Sequence, residues 1–411
     1  MPTLPPLPDV YRRQDLLNHV RDILAFYHPR AIDPSGGLYH FFKDDGTVFD
    51  AHTRHLVSST RYVFLWAMAA RHFPDTPAYL DNARRAVNFL RDVHRNPVTG
   101  GYAWLLHWED GKARVLDATN HCYGLAFVLL AYAHALQAGI VEAKAWLEET
   151  FELMERRFWQ PDFGLYADEA SADWALSPYR GQNANMHSVE ACLAAYAATG
   201  ETRYIDRAVQ VATSVNQKLT AQTDGVMIWE HYTPDWRVDW DYNRNDMSNI
   251  FRPWGYQPGH FTEWARLLLL IERHRPLPWL LERAETLFDI AFRHAWDDKY
   301  GGLYYGFGPD FSICDDRKYH WVQCESMATA AVLGKRTGKA EYWQWYDRLW
   351  DYCWTHWVDH VNGAWFRLLT RENVNTTDEK SPAGKVDYHT TGACYAILET
   401  LENCRLAGAA A

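Results

Sequence analysis

In the stretch YQPGHFTEW, Tyr256 to Trp264, a Pro-Gly pair is followed by His260 and, three residues on, by Glu263. An imidazole titrates near neutral pH, so it can both take and give a proton. Similar groups recur along the chain: His121 and Tyr123 in ATNHCYGLAF, Asn183, His187 and Glu190 in NANMHSVEA, His320, Trp321 and Glu325 in HWVQCESMA, Asp387, Tyr388 and His389 in DYHTTGACY, and Arg54 in AHTRHL. Two imidazoles facing one small ligand suit proton removal beside a carbonyl. Glu263 and Glu325 could hold hydroxyls or tune the histidines, and Arg54 could steady the resulting oxyanion. HxxE is not a zinc motif, since the HExxH spacing is absent. His52 and His55 offer at most half a metal site, and no acidic loop has the spacing of a calcium or magnesium site, so no metal is expected.

A single histidine near a helix start is ordinarily a cap or a satisfied core residue. The weight here comes from repetition. A glycine followed by alternating apolar and aromatic residues occurs six times, at Gly37, Gly101, Gly164, Gly225, Gly302 and Gly363, with intervals of 64, 63, 61, 77 and 61. Each copy reads as a turn and a strand. Between the copies lie two kinds of helical pattern. RQDLLNHVRDILAFY and YIDRAVQVATSVNQKL keep one apolar stripe and one charged face. YVFLWAMAA (62–70), YGLAFVLLAYAHAL (123–136), SVEACLAAYAA (188–198) and FTEWARLLLLI (261–271) are apolar almost all round, as befits helices covered on both sides. The pattern predicts an all-α fold, an (α/α)6 barrel of six inner and six outer helices with short β-hairpins at one rim, in one domain over residues 1–411. The candidate residues then stand at the starts of the inner helices and form a polar ring at the mouth of an apolar barrel.

The net charge of −11 supplies no basic face for nucleic acid. No apolar run approaches bilayer length, and the N-terminus MPTLPPLPDV lacks a secretory pattern, so a cytoplasmic protein is expected. The seven cysteines, Cys122, Cys192, Cys314, Cys324, Cys353, Cys394 and Cys404, include no CxxC pair and read as reduced thiols. GxGxxG, the P-loop and the nucleophile elbow are all missing, so no cofactor is expected. An aromatic content of 15% is a weak pointer to carbohydrate.

RGQNANMHSVEA (180–191), YGLAF (123–127), PGHFTEW (258–264), WVQCESMA (321–328) and DYHTTGA (387–393) together resemble the N-acylglucosamine 2-epimerase family over essentially the whole chain. The resemblance implies metal-independent epimerisation or isomerisation of a monosaccharide, with His260 and His389 as the proton-transferring pair. It implies Arg54, Tyr123, Asn183, His187, Glu263, Trp321 and Glu325 as sugar-site residues. Relatives often have two tryptophans where this chain has His320-Trp321. Epimerases of the family commonly carry arginine three residues after the last histidine, where this chain has Gly392. That difference, with the likeness of YQPGHFTEWARLLL and DYHTTGACY to the aldose–ketose isomerase branch, favours isomerisation of D-mannose and D-fructose. A 2-epimerase and an isomerase of a sulfonated glucose remain alternatives. More distant ones are a glycoside hydrolase using Glu263 and Glu325, which needs two flanking carboxyl groups, and a sugar-binding protein without chemistry. The long fourth interval, 231–257, is expected to lid the pocket, against the plainer reading of a surface insertion. The expected partner is a monosaccharide, with neither nucleic acid nor membrane, and the chain is expected as a monomer or homodimer.

Overall fold

The segments that are apolar all round need cover on every side, and the fold supplies it with two concentric rings. The structure, a computed structural model, describes residues 4–246, 249 and 251–408, and for 403–408 the course of the helix alone. Among the described residues twelve α-helices follow one another: α1 (Arg13–Tyr27), α2 (Leu56–His72), α3 (Pro77–Phe89), α4 (Cys122–Gln137), α5 (Ala143–Arg157), α6 (Gln182–Thr199), α7 (Thr202–Thr213), α8 (Pro258–Glu272), α9 (Leu280–Ala295), α10 (His320–Thr337), α11 (Ala340–His356) and α12 (Tyr388–Gly408). The even-numbered helices touch in sequence, α2 to α4 through to α12 and back to α2, and so close an inner ring. The odd-numbered helices pack outside it. This is the expected (α/α)6 barrel. In α8, Leu267, Leu268, Leu269 and Ile271 are buried on successive faces, each worth about 1.5–3 kcal/mol of transfer free energy. The stripe read across 205–219 does not stay α-helical: α7 stops at Thr213 and wider π-type turns carry Ser214–Leu219 inward.

Antiparallel pairs join the repeats around one rim. The strand entering each inner helix pairs with the segment following the next repeat's glycine turn: Arg54 with Leu106, Asn120 with Ala170, Arg180 with Tyr232, Tyr256 with Phe307, and Tyr319 with Leu368. The sixth pair, Ser381 with Phe42, closes the circle. Since each pair fixes both backbones, all six inner-helix starts are held in one plane of the barrel.

Buried side chains from Val10 to Leu398 form a continuous hydrophobic cluster. Among the described residues no helix is long and apolar enough to cross a membrane. Cys122, Cys192, Cys314, Cys324, Cys353 and Cys394 are free thiols, while the side chain of Cys404 and residues 247, 248 and 250 lie outside what the structure describes.

Candidate active site

A cavity of about 110 Å³ opens at the rim with the strand ring, and side chains from all six inner helices reach it: Arg61, Tyr123, His187, His260, Trp321 and His389. Asn183, Glu263 and His320 line it as well. The repeat register explains the gathering. Arg61, His187, Glu263 and Glu325 are each the sixth residue of their inner helix. Tyr123, Asn183, Trp321 and His389 are each the second. Helices whose starts share one plane therefore present two rings of chemistry-bearing side chains, one turn apart.

His260 and His389 both line the cavity, and each has a carboxylate on its far nitrogen. His389 Nδ1 is 2.8 Å from Glu325 Oε1. His260 Nδ1 is 3.0 Å from both oxygens of Glu230. Gln182 reaches both members of the second pair: its carbonyl accepts from Trp264 Nε1 at 2.7 Å, so its NH2 group faces Glu230 Oε2 at 2.9 Å and His260 Nδ1 at 3.0 Å. At His389 the carboxylate on Nδ1 fixes the proton there and leaves Nε2 as the basic atom. Arg61 agrees with this for His389, because its guanidinium lies 3.3 Å from Nε2 and has only protons to offer. Burial pulls the His389 pKa down to about 4, so the ring is a neutral base near pH 7. Trp321 touches both imidazoles, with ring centroids 5.1 Å from His260 and 5.8 Å from His389.

Behind the cavity lies a buried charge network. His187 Nδ1 is 3.0 Å from Glu190 Oε2. Arg266 donates to Glu325 Oε2 at 2.8 and 3.1 Å and stands 4.0 Å from Glu190. Tyr388 donates its hydroxyl to Glu190. Burial pushes Glu190 up, but His187, Arg266 and Tyr388 outweigh it and hold the carboxyl at about 2. Burial likewise opposes ionisation of Glu325, and Arg266 and His389 bring its pKa below the ordinary value. Glu263 goes the other way. Burial, then Glu325 and Glu190, raise its pKa well above the ordinary carboxylate value, which favours the protonated form. Its oxygens are buried and have no hydrogen-bond partner among the described residues, and the residue lines the cavity. His187, Glu190 and Glu263 also bring ligand atoms within 4.8 Å of one another. His52, His107 and Glu109 form a more exposed trio away from the cavity.

The structure corrects two sequence expectations for the sugar site, Arg54 and Glu325. Arg54 does not line the cavity; it is fully buried, paired with Asp33, and donates to the carbonyls of Ala51 and Thr53. Arg54 lies on the strand before α2, where alternation turns its side chain into the outer packing. Arg61 is the arginine at the cavity. Its place as sixth residue of α2, in register with His187, Glu263 and Glu325, was the signal available in the repeats. Glu325 stands behind His389 and outside the cavity lining. Glu230 was not singled out either. It lies five residues after Gly225, where four other repeats have Phe42, Leu106, Phe307 and Leu368 and the third has Glu169, so a charge at a mostly apolar place was the signal available.

An outer chamber of about 390 Å³, lined by His121, Asp117, Asp168 and Glu169, shares Tyr123, Asn183 and Phe251 with the cavity. His121 therefore lies outside the inner cavity. From the long fourth connection, Phe251 and Pro253 reach the inner cavity, and Arg252 is tied down by Glu169 at 2.5 Å.

Residues 37–393 match the N-acylglucosamine 2-epimerase (GlcNAc 2-epimerase) family. The chain belongs to the N-acylglucosamine 2-epimerase family. Within that family it is similar to D-mannose isomerase of Marinomonas mediterranea, 51% identical over 384 residues, which are 93% of this chain and 96% of the relative. A crystal structure of D-mannose isomerase superposes with a TM-score of 0.92 at 50% identity, covering 96% of this chain and 99% of that one. A cellobiose 2-epimerase of Eubacterium cellulosolvens is 24% identical over 92% of this chain and 96% of its own length. Family membership thus accounts for the barrel, and the gap between 51% and 24% separates the two activities represented among these relatives.

Proposed function

We propose that the chain is an aldose–ketose isomerase that interconverts D-mannose and D-fructose in the cytoplasm, without a bound metal or cofactor. The observation that carries this reading is the pair of cavity-lining imidazoles, His260 and His389, each with its own carboxylate on Nδ1. The identity to D-mannose isomerase supports the choice of sugar.

In this scheme His260, backed by Glu230, moves the proton that opens the sugar ring. His389 Nε2 then takes the proton from C2 of the open aldose, and the C–H electrons form the C1–C2 double bond. Charge gathers on O1, where Arg61 donates a hydrogen bond. Neutral Glu263 gives a proton to O1 and takes one back from O2, so its own state is restored. His389 returns its proton to C1 on the same face of the cis-enediol, and C2 becomes the ketone. An epimerase would return the proton to C2 from the opposite face and would need a second base at carbon. Tyr123, Asn183, His187 and Trp321 hold the sugar, and the segment around Phe251 and Pro253 lids it.

Incubation with D-mannose in D2O followed by NMR tests the reading. Fructose bearing deuterium at C1 is the expected product. Glucose labelled at C2 without fructose would make the protein an epimerase, and release of reducing sugar from a glycoside would make it a hydrolase.

A further inference from the structure

Two cavities meet back to back on one ion-pair network. The rear chamber, about 560 Å³, enters the barrel from the opposite end and is lined by Glu190, Arg266, Glu325 and Tyr388, none of which lines the front cavity. His187, Glu263 and His389 line the front cavity and are absent from the rear one. Arg71, Arg273, His274 and Glu399 are exposed at the rear chamber and open it to solvent. Its volume holds on the order of fifteen to twenty waters.

We infer that Arg266 is a positioning residue for catalysis, which acts through Glu325 on His389 and through Glu190 on His187 while never touching the sugar. Its fork grips Glu325 Oε2 with two N–H groups, which leaves Oε1 for His389 Nδ1. The same guanidinium stands 4.0 Å from Glu190, whose Oε2 meets His187 Nδ1. One cation thus serves two carboxylates, and each carboxylate sets the tautomer of one imidazole. The third carboxyl, Glu263, has its pKa raised by burial and by these two carboxylates. Arg61, from the α2 side, contacts His389 and Tyr123 and does not reach the carboxylates at hydrogen-bond distance. His134 faces Glu190 from α4, and Tyr388 donates to it from α12. Without Arg266 the pocket loses one positive charge, so every remaining group there holds its proton to higher pH. The His389–Glu325 pair then protonates where His389 should be free to act as base.

This inference rests on the isomerase reading, and its test separates the two. In Arg266→Ala, kcat for D-mannose is expected to fall on the order of 100-fold, the loss of hydrogen bonds to a charged group, with KM nearly unchanged. The acid limb of the kcat–pH profile is expected to move to higher pH. Guanidinium at non-denaturing concentration, entering by the rear chamber, is expected to restore part of kcat and to return the limb, whereas sodium at equal ionic strength does neither. Arg266→Lys keeps the charge without the fork. It is expected to hold the limb in place while lowering kcat, and it serves as the test if the alanine variant does not fold. Nitrogen-15 NMR of the histidine rings reads the His187 and His389 titrations in the same proteins without substrate. An unmoved acid limb and unmoved ring titrations in Arg266→Ala would overturn the inference while leaving the isomerase reading intact. Absence of mannose turnover in the parent protein would remove that reading instead.

Discussion

Gly259 lies directly beneath the indole of Trp321: a Cβ added at Gly259 would come within 2.5 Å of that ring. The Pro-Gly pair ahead of His260 is thereby explained. Proline starts α8, and glycine lets Trp321 lie close enough to touch His260 and His389 at once. Gly259→Ala should push the indole toward the histidines, lower kcat on the order of 10-fold or more, and destabilise the protein by about 1–3 kcal/mol. Thermal melts with steady-state kinetics measure both, and a variant with unchanged kcat would show that the indole's position is immaterial.

Two arginines seven residues apart should fail differently. Arg54→Gln leaves Asp33 buried without its partner and should cost about 3–5 kcal/mol of stability, with kinetics of the folded fraction unchanged. Arg61→Gln should leave the melt almost unmoved and lower kcat on the order of 10²–10³-fold, the usual loss for one oxyanion donor. Denaturant titration and kcat on the same preparations distinguish the cases. Equal effects would undo the assignment of Arg61 to the reacting oxygen.

Glu230→Gln keeps the size of the side chain and removes the anion beside His260. The lost charge-assisted bond is worth about 1.5–3 kcal/mol, so kcat should fall about 10–100-fold while C–H exchange into preformed open-chain sugar falls less. Comparing turnover of D-mannose with deuterium exchange into D-fructose reads the ring-opening step apart from the carbon step.

The buried histidines set the response to acid. Burial holds His389, His94 and His134 at about 4, below their ordinary 6.5. Between those values the unfolded chain takes up protons that the folded chain refuses, so stability is lost as pH falls from about 6.5 toward 4. Each such ring contributes about 3 kcal/mol of loss by pH 4. Urea titrations at pH 7, 6 and 5 should show unfolding free energies falling stepwise. A flat profile would place these rings in contact with water.

The ring of catalytic candidates was legible because six glycine signals at similar spacing place equivalent residues in equivalent positions. That argument brought His187, His260, His320, Trp321 and His389 to one cavity. It failed at Arg54, where counting from the glycine lands on a strand and strand alternation turns the side chain away. It also stopped short of depth. Glu263 and Glu325 are both sixth residues of inner helices, yet one faces the cavity and the other stands behind His389.

By itself, then, the sequence determined the barrel and the rim at which its polar residues collect, since hydrophobic periodicity and repeat spacing are local and additive along the chain. Only the tertiary structure decided which carboxylate stands behind which imidazole, which arginine lines the cavity, and which of three neighbouring carboxyls has its pKa raised. Those outcomes depend on distances of a few ångströms between residues as far apart in sequence as Glu190 and Tyr388. They also depend on how completely water is excluded, which strengthens each charge interaction far beyond what residue types alone convey.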